Sequence, residues 1–168
     1  LPNVMDALHR DGPALLFFAF GVLLLTAFFL FQEIRAAATV AGTVGMAMLW
    51  LVGLMKVMGW KVDLFNLIAI PMIVGMGQDH ALHMLHRLRE DGLESMQRTI
   101  RETGGAVLMT TFTTGIGFAG VLLAPHEGLR SLARVSLAGI LFAFFASVLF
   151  LPACLKVYDR FKPSENTP

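Results

Sequence analysis

At 168 residues, 56% hydrophobic and only 15% charged, with a mean hydropathy of +0.70, this sequence is too apolar for a soluble domain, whose residues are nearer a quarter charged. The same figures exclude intrinsic disorder, and a formal net charge of +1 supplies no basic surplus for gripping nucleic acid. One cysteine, Cys154, permits no internal disulfide and no Cys/His set has zinc-site spacing, which leaves an all-α integral membrane protein.

Charges bracket the predicted spans. Asp11 and Glu33 enclose 21 uncharged residues, Arg35 and Lys56 enclose 20, and Leu64–His86 is a 23-residue stretch holding one formal charge, Asp79. Glu102 and Glu127 then enclose 24 residues, and Arg134 and Lys156 enclose 21. About 20 apolar residues cross a ~30 Å hydrocarbon core as a helix, so each stretch suffices. Transmembrane strands would be half as long and strictly alternating. The expectation is one domain of five membrane-spanning helices, at about 14–32, 36–57, 64–86, 104–124 and 134–156, with a C-terminal tail over 157–168. The first stretch has an acidic, proline-containing flank in place of a basic one, and its apolar run is too long for a secretory signal. Leu1 stands where an initiating Met would, which points to a processed or partial chain. Short connections predict antiparallel neighbours in one bundle.

The third span carries the chemistry. Asp79 lies four residues past its midpoint, roughly 6 Å toward one side of the membrane. A carboxylate there costs about 2.5–3.5 kcal/mol on insertion scales, so it is expected to face protein or trapped water. Low dielectric disfavours its charged form, which suits a proton carrier; the alternative is an acid held in a structural ion pair. His80, His83 and His86 follow. Positions 79, 83 and 86 share a stripe and His80 points about 100° away. These histidines are candidates for a proton relay or for polar packing at an interface. Metal binding would need three or four convergent ligands, and none is assigned. Pro71 and the Gly75-x-Gly77 pair supply a helix break and close packing, features common at transporter sites and in membrane helices generally.

The connector over 87–103 is expected to form a short amphipathic helix along the membrane surface, with Leu93, Met96 and Ile100 on one face, Asp91 and Glu94 as a capping pair and Gly104-Gly105 as a stop. It is either a tether or a transmitter of movement. The fourth span opens with TTFTTGIGFAG. Its Thr110, Thr111 and Thr114 hydroxyls serve either Asp79 or their own helix backbone, and Gly115 and Gly117 allow close packing. Eight basic residues fall on the side of the C-terminus (Arg35, Arg87, Arg89, Arg98, Arg101, Lys156, Arg160, Lys162) against five on the other, which places the N-terminus outside and the C-terminus in the cytoplasm.

The run GMGQDHALHMLHRLRE resembles the tenth membrane helix of the resistance–nodulation–division (RND) superfamily, above all its MMPL-type lipid exporters, whose pattern is G-x-G-x-D-Tyr-x-x-His with a basic His-Arg-x-Arg-Glu end. The stretch RETGGAVLMTTFTTGIGFAGVLLAPHEGLRSLARVSLAGILFAFFASVLFLPACL is similar to helices eleven and twelve of that family, and the first span to helix eight. The resemblance implies the C-terminal membrane half of a bacterial inner-membrane exporter of lipids or other hydrophobic molecules. The proton gradient would be its energy source, with no bound cofactor. Its partners would be membrane lipids and a first half and periplasmic domain that this sequence does not hold, and no nucleic acid. The acid matching the family's proton site is Asp79, with His80, His83, Thr110, Thr111 and Thr114 as candidate relay groups. His80 replaces the family's aromatic hydroxyl, and Gln78 a small apolar residue. A non-transporting five-helix sterol- or lipid-sensing module is the alternative. No nucleophile–base set or phosphate loop points to an enzyme.

Overall fold

A computed structural model describes residues 17–18, 21–22, 25–26, 29, 32–60, 63–92 and 95–161. Among them every regular element is helical: α1 (Ile34–Met58), α2 (Leu64–Asp91), α3 (Met96–Val121), α4 (Glu127–Phe145), a π-helical turn (Ala146–Phe150) and α5 (Leu151–Phe161). The last three run on as one helix, so the described residues from Ile34 onward form four long rods. Most of the first predicted span lies outside the described residues; the parts that are described, including Phe17, Val22 and Phe29, are helical and exposed.

Local chemistry sets the ends. Gly59 adopts φ 65°, a left-handed backbone open to glycine, and closes α1: its N–H donates to the Lys56 carbonyl and the Trp60 N–H to that of Met55. Asp63 caps α2 by accepting from the Asn66 N–H at 2.8 Å. At α4 the His126 ring nitrogen Nδ1 accepts from the Gly128 N–H at 3.1 Å, and Glu127 sits in the first turn where the helix dipole favours an acid. The π turn precedes Pro152, which has no N–H for the Val148 carbonyl; the turn before it widens so that the Leu151 N–H reaches Ala146.

Short links make the rods antiparallel, and α2 is central, packed on α1, α3 and α4. Its Val74, Ala81, Met84, Leu85 and Leu88 meet Ala36, Ala37, Val40 and Val44 of α1, and its Ala69 and Ile73 meet Leu51 and Val135. Small residues bring the helices close. Gly139 of α4 abuts Ile73, and Gly77 of α2 faces Ala143 of α4 and Val44 of α1. Outside, Leu49, Val52, Leu108, Phe112, Ile116 and Leu149 are 47–68% exposed, an apolar belt that water would not tolerate and lipid does.

Among the described residues three helices are long and apolar enough to cross a membrane: Ile34–Met58, Met96–Val121 and Glu127–Val157. The third predicted span is also a helix, about 42 Å long at 1.5 Å per residue. Gln78, Asp79 and three histidines dilute its apolarity below that of the other three. The expected separate surface helix is absent from the described part of the connector. There, α2 runs on to Asp91, and from Met96 the chain is already α3. Thr99 is fully buried and donates to Asp91 Oδ2 at 3.2 Å, while Arg98 pairs with Glu102 at 2.8 Å, so the first turns of α3 are held without a membrane. Glu94 of the expected capping pair lies outside the described residues. Gly104-Gly105 is no stop: Gly104 lies inside α3, where a Cβ would sit 3.6 Å from Met84 and Val148, an ordinary close contact. Similarly the last helix starts at Glu127, before the expected 134, and continues through the expected tail to Phe161.

Candidate functional site

Along α2 the residues sort by angle. Gly77, Ala81, Met84 and Leu88 form the buried side, and Asp79 falls opposite them, with its side chain 69% exposed. His83, one turn on, is 68% exposed and places Nε2 3.4 Å from Asp79 Oδ1, an ion-pair distance longer than a good hydrogen bond. The stripe continues with His86, whose Nε2 lies 3.4 Å from Glu90 Oε1. Asp79, His83, His86 and Glu90 thus line one outward face of the central helix. Glu90 was not among the expected site residues, although its i,i+4 spacing from His86 was a readable signal.

His80 points elsewhere. It is 6% exposed, and its ring nitrogen Nδ1 has no hydrogen-bond partner. Ser136 of α4 carries a second buried and unpartnered polar atom. Of the other buried hydroxyls, Thr43, Thr111 and Ser147 bond their own helices, Thr43 to the Thr39 carbonyl and Ser147 to that of Ala143, while Thr99 reaches across to Asp91. Asn66, at the far end of α2, accepts from the Ser131 hydroxyl at 3.1 Å and ties α2 to α4.

The structure does not bring the Thr-rich helix to Asp79. Thr110 and Thr111 both donate to the Val107 carbonyl, at 2.9 and 2.7 Å, and Thr113 donates to Met109, so these hydroxyls satisfy themselves locally. Thr111 and Gly115 line an apolar groove between α3 and α4 with Leu137 and Ile140, while Thr114 is half-buried and Gly117 exposed. Of the two readings of these hydroxyls, bonding to their own helix therefore holds for Thr110 and Thr111: α3 packs on the apolar side of α2, and Asp79, expected to face protein or trapped water, lies exposed on the other. Pro71 and Gly75 lie on exposed positions of α2 upstream of the acid, and α2 continues through both as one helix. Among the described residues no three His, Cys, Asp or Glu side chains converge on a metal position.

A bundle of apolar rods around a polar-striped central helix defines a multi-pass membrane protein. Its sequence matches the MMPL family model over residues 2–167, and the chain belongs to that family. It is 31% identical over 120 residues to membrane protein MJ1562 of Methanocaldococcus jannaschii, covering 68% of this chain and 31% of that protein. Over 125 residues it is 30% identical to the hopanoid transporter HpnN of Rhodopseudomonas palustris, covering 69% of this chain and 14% of the transporter. The apo-petrobactin exporter of Bacillus anthracis is 30% identical over 110 residues, 61% of this chain and 15% of the exporter. The chain thus spans under a third of each of these relatives. No solved structure matches it significantly.

Proposed function

We propose that this chain is the C-terminal membrane half of an exporter of lipids or other hydrophobic molecules, driven by the proton-motive force, with Asp79 as the coupling carboxyl. The observation that carries this reading is Asp79 itself, an acid on the outward side of the central helix, which this reading puts at membrane depth. Facing lipid it would cost about 2.5–3.5 kcal/mol. A second bundle laid over the Asp79–His83 face removes that cost, and the relatives are more than three times the length covered here. In that seam the carboxyl alternates between a protonated state and a charged state paired with His83. Moving one charge through the field is worth about 2.3 kcal/mol per 100 mV, enough to bias two arrangements of the halves. HpnN and the petrobactin exporter move unlike cargoes, so the cargo class rests on the apolar setting of the bundle and on the family. The membrane is read as the bacterial inner membrane, N-terminus periplasmic and C-terminus cytoplasmic.

The test is genetic and chemical. Cells lacking the full-length gene are profiled for the compound they retain, then complemented. Wild type restores export, and Asp79→Asn, which keeps the shape of the protonated acid but releases no proton, does not, although it reaches the membrane at the normal level. Full restoration by Asp79→Asn would make the acid structural and move the lipid-sensing reading ahead.

A further inference from the structure

The outward stripe of α2 is chemically one-sided about Asp79. Four, seven and eleven residues on from the acid stand His83, His86 and Glu90. The mirror positions toward the start of the helix are Gly75, Met72 and Ile68, and none of these side chains can hold a proton. Steps of four, three and four residues stay on one face of an α-helix, so the four titrating groups share one line. Eleven residues rise about 16 Å, half of a ~30 Å hydrocarbon core. The line therefore reaches from Asp79 toward the membrane face at which α2 ends.

Distances divide the line into two pairs. His83 Nε2 lies 3.4 Å from Asp79 Oδ1, and His86 Nε2 lies 3.4 Å from Glu90 Oε1. Each gap is slightly longer than a proton-transferring hydrogen bond and closes with a small side-chain rotation. Between the pairs, His83 and His86 are three residues apart, neighbours on the helix surface that one water can bridge. Imidazole suits such a line, because one ring nitrogen accepts a proton while the other gives one up, near neutral pH. Folding does not explain the arrangement, since both pairs are more than half exposed at each partner, where ion pairs add little. The charged groups bordering the line are themselves paired. Arg87 lies 3.1 Å from Asp91, 3.5 Å from Glu90 and 3.9 Å from Glu102 of α3, and Arg89 lies 2.8 Å from Glu33 beside α1. Glu90 remains half exposed next to Arg87, open to exchange with water.

We propose that His83, His86 and Glu90 form the path by which the Asp79 proton exchanges with the membrane face at which α2 ends. The Asp79 carboxyl passes its proton to His83 Nε2 as the Nδ1 proton of that ring leaves for the bridging water. That water gives a proton to His86 Nδ1, and His86 Nε2 gives its own to the Glu90 carboxylate, which releases it to solvent. Asp79 is left charged, accepting from the His83 Nε2–H, and rotation of the two rings resets them for the next proton. The path rests on the reading of Asp79 as the coupling carboxyl and adds to it His86 and Glu90, which that reading does not use.

Infrared spectroscopy of the full-length protein in detergent tests the path without needing the cargo. The carbonyl band of protonated Asp79 is the one missing from Asp79→Asn, and its growth after a light-triggered acid jump times the arrival of the proton. His86→Ala and Glu90→Gln should reach the same final band about tenfold more slowly than wild type. Glu90→Asp, which keeps a titrating carboxyl, should recover most of the rate, and free imidazole should do so for His86→Ala, a rescue that a structural role would not give. The helical amide band in the same spectra shows that each variant is folded. A wild-type rate in either folded variant, or no rescue by imidazole, would overturn the path and leave Asp79 as the coupling acid. A spectrum in which wild type and Asp79→Asn do not differ at any pH would instead remove the coupling reading, and the path with it.

Discussion

Gly139→Ala adds one methyl where the bundle has least room. Its Cβ would fall 2.4 Å from Ile73 Cδ1, 2.8 Å from Cγ1 and 2.9 Å from Cγ2, whereas carbon atoms rest comfortably at about 3.5–4.0 Å. Ile73 cannot step aside easily. It is β-branched, stiff at χ1, 1% exposed, and packed with Leu51, Ala69 and Val135. Either its rotamer is forced, at about 0.5–1.5 kcal/mol, or α2 and α4 part along their shared interface. Overpacking of this kind costs about 1–3 kcal/mol, with three overlapped atoms favouring the upper end. Against it stands the better helix propensity of alanine, about 1 kcal/mol. The expected net loss is thus about 2 kcal/mol. Gly53→Ala is the control, since its Cβ meets nothing within 4 Å and only the propensity gain of about 1 kcal/mol applies. Ile73→Ala removes all three crowded atoms, so a double-mutant cycle with Gly139→Ala should return most of the overpacking cost, about 2–3 kcal/mol of coupling. Unfolding followed by far-UV circular dichroism in detergent measures each term. A Gly139→Ala protein as stable as Gly53→Ala, or a cycle with no coupling, would refute the close approach of α2 and α4.

Two further outcomes are expected. His80→Leu removes a buried ring nitrogen that has no partner, a group whose burial costs about 1–3 kcal/mol, so the variant should unfold at higher denaturant while export falls only in part; a loss of stability above about 1 kcal/mol would mean that His80 has a partner in the assembled protein. In intact cells an impermeant thiol reagent should modify Glu127→Cys and spare Ser95→Cys, and the opposite pattern would reverse the orientation assigned from the basic residues.

Counting residues between charges found α1 almost to the residue, because nothing charged interrupts 36–55 and Gly59 closes the helix. The same counting misjudged α3 and the last helix. A charge ends the apolar part of a helix but not its hydrogen bonding, so Met96–Arg101 and Glu127–Ala133 wind on past the charge boundary. Gly104 was read as a stop because glycine alone weakens a helix; its place beside Met84 and Val148 depends on α2 and the π turn, which no local pattern reveals. The site was legible as residues and misread in direction. Burial cost says only that Asp79 avoids lipid. Its angle from Gly77, Ala81, Met84 and Leu88 says which side it takes, and that side is the outward one. The widened turn at Ala146–Phe150 had one visible cause, Pro152, and the sequence reading used that proline only as part of a family motif.

Stability and chemistry occupy different sides of α2, and this separates their perturbations. The inward side is apolar apart from Asn66 and His80, and α1, α3 and α4 close over it through small residues. The outward stripe from Asp79 to Glu90 contributes almost nothing to that packing: its two ion pairs are more than half exposed at both partners, where such pairs are worth about 0–1 kcal/mol. Asp79→Asn should therefore leave unfolding nearly unchanged and remove export, whereas Gly139→Ala should lower stability and leave the residual folded protein competent for export. Measured together, the two variants cross. If Asp79→Asn instead destabilised the protein as much as Gly139→Ala, the acid would be part of the scaffold, held by a neighbour on its outward side for structural reasons, and a coupling role would lose its physical basis.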